Sequence, residues 1–125
     1  MKITLITVGK IKERYLEEAI REYTKRLNRY CKLEIIQAAD EKTPDGASPS
    51  LEEQIKDREG KRILSHVKDG MYVIALAIQG KMLTSEELAE KMNSLGVRGI
   101  SHVAFIIGGS LGLSKEVLGR ADFQL

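Results

Sequence analysis

A continuous apolar run that ends in a glycine-rich turn reads His102-Val103-Ala104-Phe105-Ile106-Ile107-Gly108-Gly109-Ser110-Leu111-Gly112-Leu113. An apolar run without alternation is typical of a central strand that is covered on both faces, as in parallel sheets. Ser114 follows at once and is a good N-cap residue, so the turn is predicted to lead into a short helix through Arg120. Strand, turn and helix in this order are the repeating unit of an α/β fold.

The same alternation is present upstream of this run. Residues 72–78 are again apolar without alternation and predict a second central strand. Thr84 and Glu87 have the spacing of a capping box, in which two side chains satisfy free amides of the first helical turn. Gly96 is predicted to end that helix. We therefore predict an α/β fold with a mostly parallel sheet that is flanked by helices.

The N-terminal half follows the same pattern with a longer connection. Strands are predicted at 2–8 and 32–38, and the helix between them, at 12–30, carries apolar side chains at spacings of three and four on one face. Asp40–Ser50 contains both prolines and is predicted to be a long mobile loop. Ser50, with Glu53 three residues later, is predicted to cap the next helix. Residues 121–125 resemble the start of a further strand, and we expect one domain over residues 1–125.

Composition limits the classes of protein to which the chain can belong. A chain of 125 residues with 42% hydrophobic and 30% charged residues is typical of one globular domain. No apolar run approaches the ~20 residues that cross a bilayer, and the N-terminal residues lack the pattern of a signal peptide. We therefore expect a cytoplasmic protein with no membrane partner. Cys31 is the single cysteine, so no disulfide within the chain is expected.

Positive charge is concentrated in the first predicted helix and its flanks. Between Lys10 and Lys32 there are eight basic and four acidic residues, whereas the net charge of the whole chain is +2. Arg21, Lys25 and Arg29 are spaced four apart, so they lie along one stripe that could bind RNA phosphates. The alternative is a solvated face with ordinary helical ion pairs, such as Glu17–Arg21 and Glu22–Arg26. Both interpretations remain open from the sequence.

Two glycine loops are predicted at the same edge of the sheet. One follows the strand at 72–78 and contains Gly80, and the other is Gly108–Gly112. Ligands of parallel sheets bind where such loops face one another. Neither a dinucleotide fingerprint nor a phosphate-binding P-loop is present, so a nucleoside suits this site at least as well as a nucleotide. The alternative is that the glycines only make a tight turn. His66 and His102 have no partner at metal-ligand spacing, and no metal is expected.

Two sets of motifs extend from one end of the chain to the other. The first comprises Met1–Ile3, Val8–Lys10, Tyr15, Asp40–Lys42 and the Glu59–Leu64 run, and the second comprises Ala75–Lys81 and Phe105–Leu113. In this order they resemble the small bacterial SPOUT-class enzymes that methylate N3 of a pseudouridine in 23S ribosomal RNA of the assembled ribosome. That family uses S-adenosylmethionine as its methyl donor. The motif at 105–113 is the most specific of the set.

The resemblance implies both a fold and a set of site residues. It implies an α/β trefoil knot that holds S-adenosylmethionine, with Leu76 and Gly108 at cofactor-contacting positions and Gly80 and Gly109 as their neighbours. It also implies a homodimer whose site is completed across the interface, with ribosomal RNA as the partner. The RNA-binding residues that we predict beside it are the cations Arg21, Lys25 and Arg29.

The resemblance also implies that residues 1–125 do not contain the whole catalytic apparatus. The family closes its knot with a strand, a Pro-His-containing turn, a helix and a Tyr-His-bearing tail, and none of these follows Phe123 here. We therefore expect the catalytic residues to lie beyond Leu125 and the polypeptide as given to be inactive by itself. The alternative is a non-catalytic α/β module that binds the ribosome or a nucleoside.

Overall fold

A computed structural model describes all residues from Met1 to Leu125 and contains five strands and four helices. In chain order these are β1 (Lys2–Val8), α1 (Arg14–Leu27), β2 (Lys32–Ala38), α2 (Pro49–Leu64), β3 (Tyr72–Leu76), α3 (Ser85–Val97), β4 (His102–Ile107), α4 (Lys115–Arg120) and β5 (Phe123–Gln124). The bounds of β1, β2, β4 and α4 agree with those predicted. Helix α1 is shorter than predicted at both ends, and β3 ends at Leu76, which leaves Ile78 in the following loop.

The five strands form one parallel sheet in the order β2-β1-β4-β3-β5. The predicted fold class is therefore confirmed: the sheet is parallel throughout and flanked by helices. Since β3 and β4 are neighbours that run in the same direction, the loops that follow them emerge at the same edge. The strands by themselves do not show the trefoil knot that the resemblance implies, and the knot stays a prediction.

Two hydrophobic clusters, one on each face of the sheet, explain why the central strands are apolar without alternation. On one face, Val73 of β3 and Ile106 of β4 pack with Ile63 of α2 and Val117 of α4. On the other face, Ile74 packs with Leu95 of α3. Val73 and Ile74 are adjacent in sequence, point to opposite faces and are both fully buried. This double burial anchors the strand ends at which the glycine loops begin.

Helix α1 contributes little to either cluster. None of its residues is buried. The predicted apolar face consists of side chains that remain between 37% and 81% exposed: Leu16, Ile20, Tyr23, Leu27 and Tyr30. The periodicity correctly identified the face, but the fold leaves it uncovered because α1 approaches only the edge of the sheet, beside β2.

Helix caps agree with the predictions in two cases and differ in two others. The capping box of Thr84 and Glu87 is present, with the two reciprocal bonds at 3.1 and 3.0 Å, and Ser114 Oγ accepts from Val117 N–H at 3.2 Å.

The prediction that Ser50 caps α2 is wrong. Ser48 Oγ accepts from Leu51 N–H at 3.1 Å, because Pro49 lacks an N–H and fits the first helical position. The prediction that Gly96 ends α3 is also wrong. The helix continues through Val97, and the chain turns at Gly99, whose φ is +90°.

Candidate functional site

The loops after β3 and β4 line one cleft at the carboxyl edge of the sheet. Leu76 and Ile107 end their strands as a directly paired couple, and Gly108 follows Ile107. The cleft has a volume of about 470 Å³. It is lined by Lys56, Leu76, Ala77, Ile78, Gln79, Ile107, Gly108, Gly109, Ser110, Leu111, Gly112, Leu113, Leu118 and Gln124. The two glycine loops thus adjoin as predicted, and Leu76, Gly108 and Gly109 meet in one place.

The glycines of the second loop make a turn that tolerates no side chain at Gly108. A Cβ there would lie 2.8 Å from Leu113 Cδ2 and 2.9 Å from Gly112 O. Gly112 has a φ of +88° and donates its N–H to Gly109 O at 3.0 Å. The tight-turn interpretation of these glycines is correct in geometry. It does not exclude binding, because the same turn forms a wall of the cleft.

Gly80 is not among the residues that line this cleft, and its backbone approaches that of Gln124 and Leu125. A Cβ at Gly80 would lie 2.5 Å from the carbonyl carbon of Leu125. Lys81 N–H donates to Gln124 O at 2.9 Å, and Ala77 N–H donates to Leu125 O at 2.9 Å, so residues after β5 close against the 77–81 loop. The predicted role of Gly80 as a neighbour of the cofactor stays a prediction. Here Gly80 permits a close approach between two backbones.

A second cleft, the polar cleft, is lined mainly by polar and charged residues and adjoins the first. Its volume is about 680 Å³, and it lies where β1 and β2 end. It is lined by Val8, Gly9, Lys10, Lys12, Gln37, Ala38, Ala39, Asp40, Glu41, Lys42, Glu59, Gly109 and Ser110. Gly109 and Ser110 line both clefts, so the two meet at the Gly108–Gly112 turn.

A network of charged groups forms the floor of the polar cleft. Arg62 donates to Glu41 Oε1 at 2.7 Å and to Ala39 O at 3.0 Å, and Glu41 N–H donates to Glu59 Oε2 at 3.0 Å. Glu59 is only 5% exposed. From the sequence, Asp40–Lys42 and the Glu59–Leu64 run were placed among the motifs of the resemblance, but none of these side chains was assigned a role in the site. Glu59 and Arg62 are three residues apart and so lie on one face of α2, and this spacing was the sequence signal that could have identified them as a pair of site residues.

The basic stripe of α1 lies on the surface, away from the floor of both clefts. Arg21, Lys25 and Arg29 are exposed, and none takes part in an ion pair, but α1 ends at Leu27, so Arg29 lies in the turn after the helix and does not continue the helical spacing that was predicted. Glu22 and Arg26 form the helical pair that the alternative interpretation anticipated, at 3.1 Å. The Glu17–Arg21 pair does not form. The stripe is thus available for a partner, and its contact with RNA stays a prediction.

The remaining chemically active side chains occupy isolated positions. His102 is joined to the buried Thr4 by a hydrogen bond of 2.7 Å between Nε2 and Oγ1. Burial, together with the nearby Lys2 ammonium, lowers the pKa of His102 from its ordinary value.

No group of three His, Cys, Asp or Glu side chains is arranged to hold a metal ion. No helix is both long and apolar enough to span a bilayer.

Comparison with known proteins agrees with this arrangement. A family described as "Predicted SPOUT methyltransferase" matches residues 1–125. The chain belongs to the SPOUT methyltransferase family. The resemblance inferred from the motifs is therefore confirmed at the level of the family, and with it the assignment to methyltransferases.

Several relatives are similar over the whole chain. Proteins named ribosomal RNA large subunit methyltransferase H are 64% identical in Bifidobacterium adolescentis, 61% in Clostridium beijerinckii and 62% in Clostridium novyi. Each match covers 100% of this chain and 79% of the relative.

Proposed function

We propose that this SPOUT-family protein methylates N3 of a pseudouridine in 23S ribosomal RNA of the assembled ribosome, in the cytoplasm, with S-adenosylmethionine as the methyl donor. The names of the relatives support a ribosomal RNA substrate. The observation that carries the proposal is the shared cleft formed by the paired strand ends at Leu76 and Ile107 and by the Gly108–Gly112 turn.

The chemistry of this cleft fits the methyl donor. Its volume of about 470 Å³ lies within the ordinary range for small-ligand sites. Leu76 and Ile107 offer apolar surface to an adenine ring, and Gly108 and Gly109 let a ligand approach the backbone. S-adenosylmethionine supplies an electrophilic methyl group when bound, so neither a metal nor a covalent nucleophile is needed.

The protein's own part in the reaction is to position the acceptor and to assist loss of the N3 proton. Methyl carbon and nitrogen must be held in line, because a displacement of ~1 Å can cost ~100-fold in rate. The turn at Gly108–Gly112 separates the polar cleft from the cleft that contains Leu76 and Ile107. An acceptor base in the polar cleft would therefore approach the methyl donor across Gly109. Through the resemblance, the groups that assist proton loss are expected in the family's Pro-His turn and Tyr-His tail.

We further propose that a polypeptide of residues 1–125 is inactive by itself. The test incubates ribosomes that lack the modification with labelled S-adenosylmethionine and with one of two polypeptides. One is residues 1–125, and the other is the same sequence extended by the C-terminal segment of a relative. Label is expected with the extended form alone. Comparable incorporation by the short form would locate the chemistry within residues 1–125, and ribosome binding without incorporation by either form would favour the non-catalytic module.

A pair of glycine substitutions tests the cleft in the extended form. Gly108→Ala places a methyl group against Gly112 O, which is backbone and cannot rotate away. We expect binding of S-adenosylmethionine to weaken by at least about tenfold, which corresponds to ~1.4 kcal/mol. Gly96→Ala is the matched control, because its Cβ would meet only Met1 Cε at 3.9 Å. Equal affinity of the two variants by calorimetry would remove this cleft as the cofactor site.

A homodimer is also part of the proposal. The apolar face of α1 stays open to solvent in one chain, with Tyr23 63% and Leu27 42% exposed. Contiguous apolar surface of this kind marks interaction sites. We propose that a second copy covers it.

A further inference from the structure

The polar cleft holds free positive charge at its mouth. The ammonium groups of Lys10, Lys12 and Lys42 are exposed and belong to no ion pair. Of the three carboxylates that line the cleft, Glu41 is neutralised by Arg62 at 2.7 Å, Glu59 is buried, and Asp40 is exposed to solvent without an ion pair. The lysines are therefore available to an anion that enters from solvent, and Gly109 and Ser110 line the same cleft.

The floor of the same cleft presents a hydrogen-bond acceptor. Glu59 is nearly fully buried, and its Oε2 accepts from Glu41 N–H, while its Oε1 accepts from no protein group. No fully buried side-chain oxygen or nitrogen in the structure lacks a partner, so Oε1 is reached by solvent from the cleft. A Cβ built on Gly109 would lie 3.1 Å from Oε1, which puts this oxygen at the junction of the two clefts.

A buried carboxylate with one unpaired oxygen can accept a hydrogen bond from an N–H group of a ligand. Burial of a charged acceptor is costly unless it is hydrogen-bonded, and bonds to charged groups are the stronger ones. A donor at this point must arrive beside Gly109, with its anionic part directed back toward the lysines. A pyrimidine nucleotide has this layout, with a phosphate at one end and ring N–H groups at the other.

We infer that the polar cleft binds the acceptor nucleotide of the RNA, with its phosphate on Lys10, Lys12 and Lys42 and a ring N–H of its base donated to Glu59 Oε1. The inference rests on the proposed function and adds a substrate subsite to it. Glu59, which lies on α2, orients the base in this arrangement; the Glu41 amide holds the Glu59 carboxylate, and Arg62 holds the Ala39–Glu41 segment in place.

Two small ligands separate the two ends of the subsite. Pseudouridine 5′-monophosphate carries both the phosphate and the ring N–H groups, whereas ribose 5-phosphate carries the phosphate alone. Each is titrated into the isotopically labelled 125-residue chain, and the amide resonances of Gly9, Glu41 and Gly109 are followed by NMR. These three amides surround the cleft, so binding there shifts them.

Variants are chosen so that each end is changed alone. In Glu59→Gln the side-chain oxygen can still accept from the Glu41 amide, but the group that faces the cleft becomes a donor. The double variant Lys10→Gln/Lys42→Gln removes two positive charges at exposed positions where the side chains are not packed. Lys61→Gln with Lys68→Gln is the matched control, because both lysines are exposed and lie outside the cleft.

We expect Glu59→Gln to weaken the nucleotide by about tenfold and to leave ribose 5-phosphate unchanged. The Lys10/Lys42 variant should weaken both ligands by about tenfold, and the control variant neither. An equal decrease in affinity for both ligands in Glu59→Gln, or wild-type affinity in the Lys10/Lys42 variant, would overturn the inference. So would nucleotide-induced shifts confined to residues outside the cleft.

These outcomes are separate from those of the proposed function. Methyl transfer by the extended form together with wild-type nucleotide affinity in all variants would refute the subsite and leave the function standing. The expected variant pattern, in an extended protein that binds no S-adenosylmethionine, would support the subsite and refute the methyltransferase proposal.

Discussion

Gly60 and Gly119 both lie inside helices, but they differ in what surrounds them. A Cβ at Gly60 would collide with Ser114 Oγ and come within 3.2 Å of Val117 Cγ2, because α2 and α4 approach closely there. Ser114 Oγ cannot rotate away freely, since it accepts the N–H of Val117 that caps α4. Gly119 has nothing within 4 Å. One glycine is required by packing and the other is not.

This contrast predicts opposite effects of the same substitution. Gly60→Ala should lower the free energy of unfolding by about 1–3 kcal/mol through overpacking. Gly119→Ala should raise it by up to ~1 kcal/mol, because alanine is the better helix former and meets no neighbour. Urea unfolding of the two variants checks both signs. A stabilised Gly60→Ala would mean that α2 and α4 separate easily.

At the scale of elements, local signals could be read from the sequence and tertiary ones could not. Ser114 and the Thr84–Glu87 pair lie within one helical turn of what they cap, so spacing alone revealed them. The bond between Glu41 and Glu59 joins residues 18 apart on different elements, and no local pattern encodes it. The apolar face of α1 was predicted from the spacing of its apolar residues, but the spacing does not show whether other elements cover that face, because this depends on where the helix packs. Ser48 was missed because Pro49 was assigned to the loop.

The β1–β4 pairing makes stability depend on pH through His102. Because the folded-state pKa of His102 is lowered, protonation favours the unfolded chain, and its contribution is complete above the ordinary pKa of 6.5 and lost as pH falls below that value. Burial is the main cause, Lys2 and Lys68 add to it, and Glu34 opposes it.

We therefore expect the decrease in stability between about pH 7 and pH 5 to be smaller in His102→Gln than in the unchanged chain. His66→Gln serves as the control, since His66 is half-buried in the turn after α2. Thermal unfolding across that range is the measurement. An identical pH dependence in His102→Gln and the unchanged chain would assign the decrease to carboxylates instead.

The stripe on α1 predicts a salt-dependent contact with RNA phosphates. Replacing Arg21, Lys25 and Arg29 with Gln should weaken ribosome binding and reduce the log–log salt slope by about three, because each cation that binds a phosphate contributes about one unit. The control variant removes an equal charge elsewhere on the surface by replacing Lys61, Lys68 and Arg98 with Gln. If the two triple variants have the same log–log salt slope for ribosome binding, only the solvated-face interpretation remains.

For the whole molecule, the open face of α1 predicts self-association. Tyr23 on that face is 63% exposed, and Tyr30, in the turn that follows α1, is 81% exposed. Changing both to Glu should shift the assembled protein toward the monomer, because two charges would have to be desolvated in the interface. Asn28→Glu adds charge to the same helix away from the apolar face. Sedimentation profiles of the three proteins, measured by analytical ultracentrifugation, should separate the tyrosine variant from the others.

The strand order also has a consequence for synthesis of the chain. β1 lies between β2 and β4, and its register joins Lys2 to His102, so one side of the first strand has no partner until residues 102–107 have been made. At ~5–20 residues per second, the interval between the end of β2 and the end of β4 lasts roughly 3 to 14 seconds. During that time the edge of β1 that will pair with β4 keeps its backbone N–H and C=O groups without strand partners. We therefore expect the yield of folded protein to depend on the translation rate between residues 38 and 107.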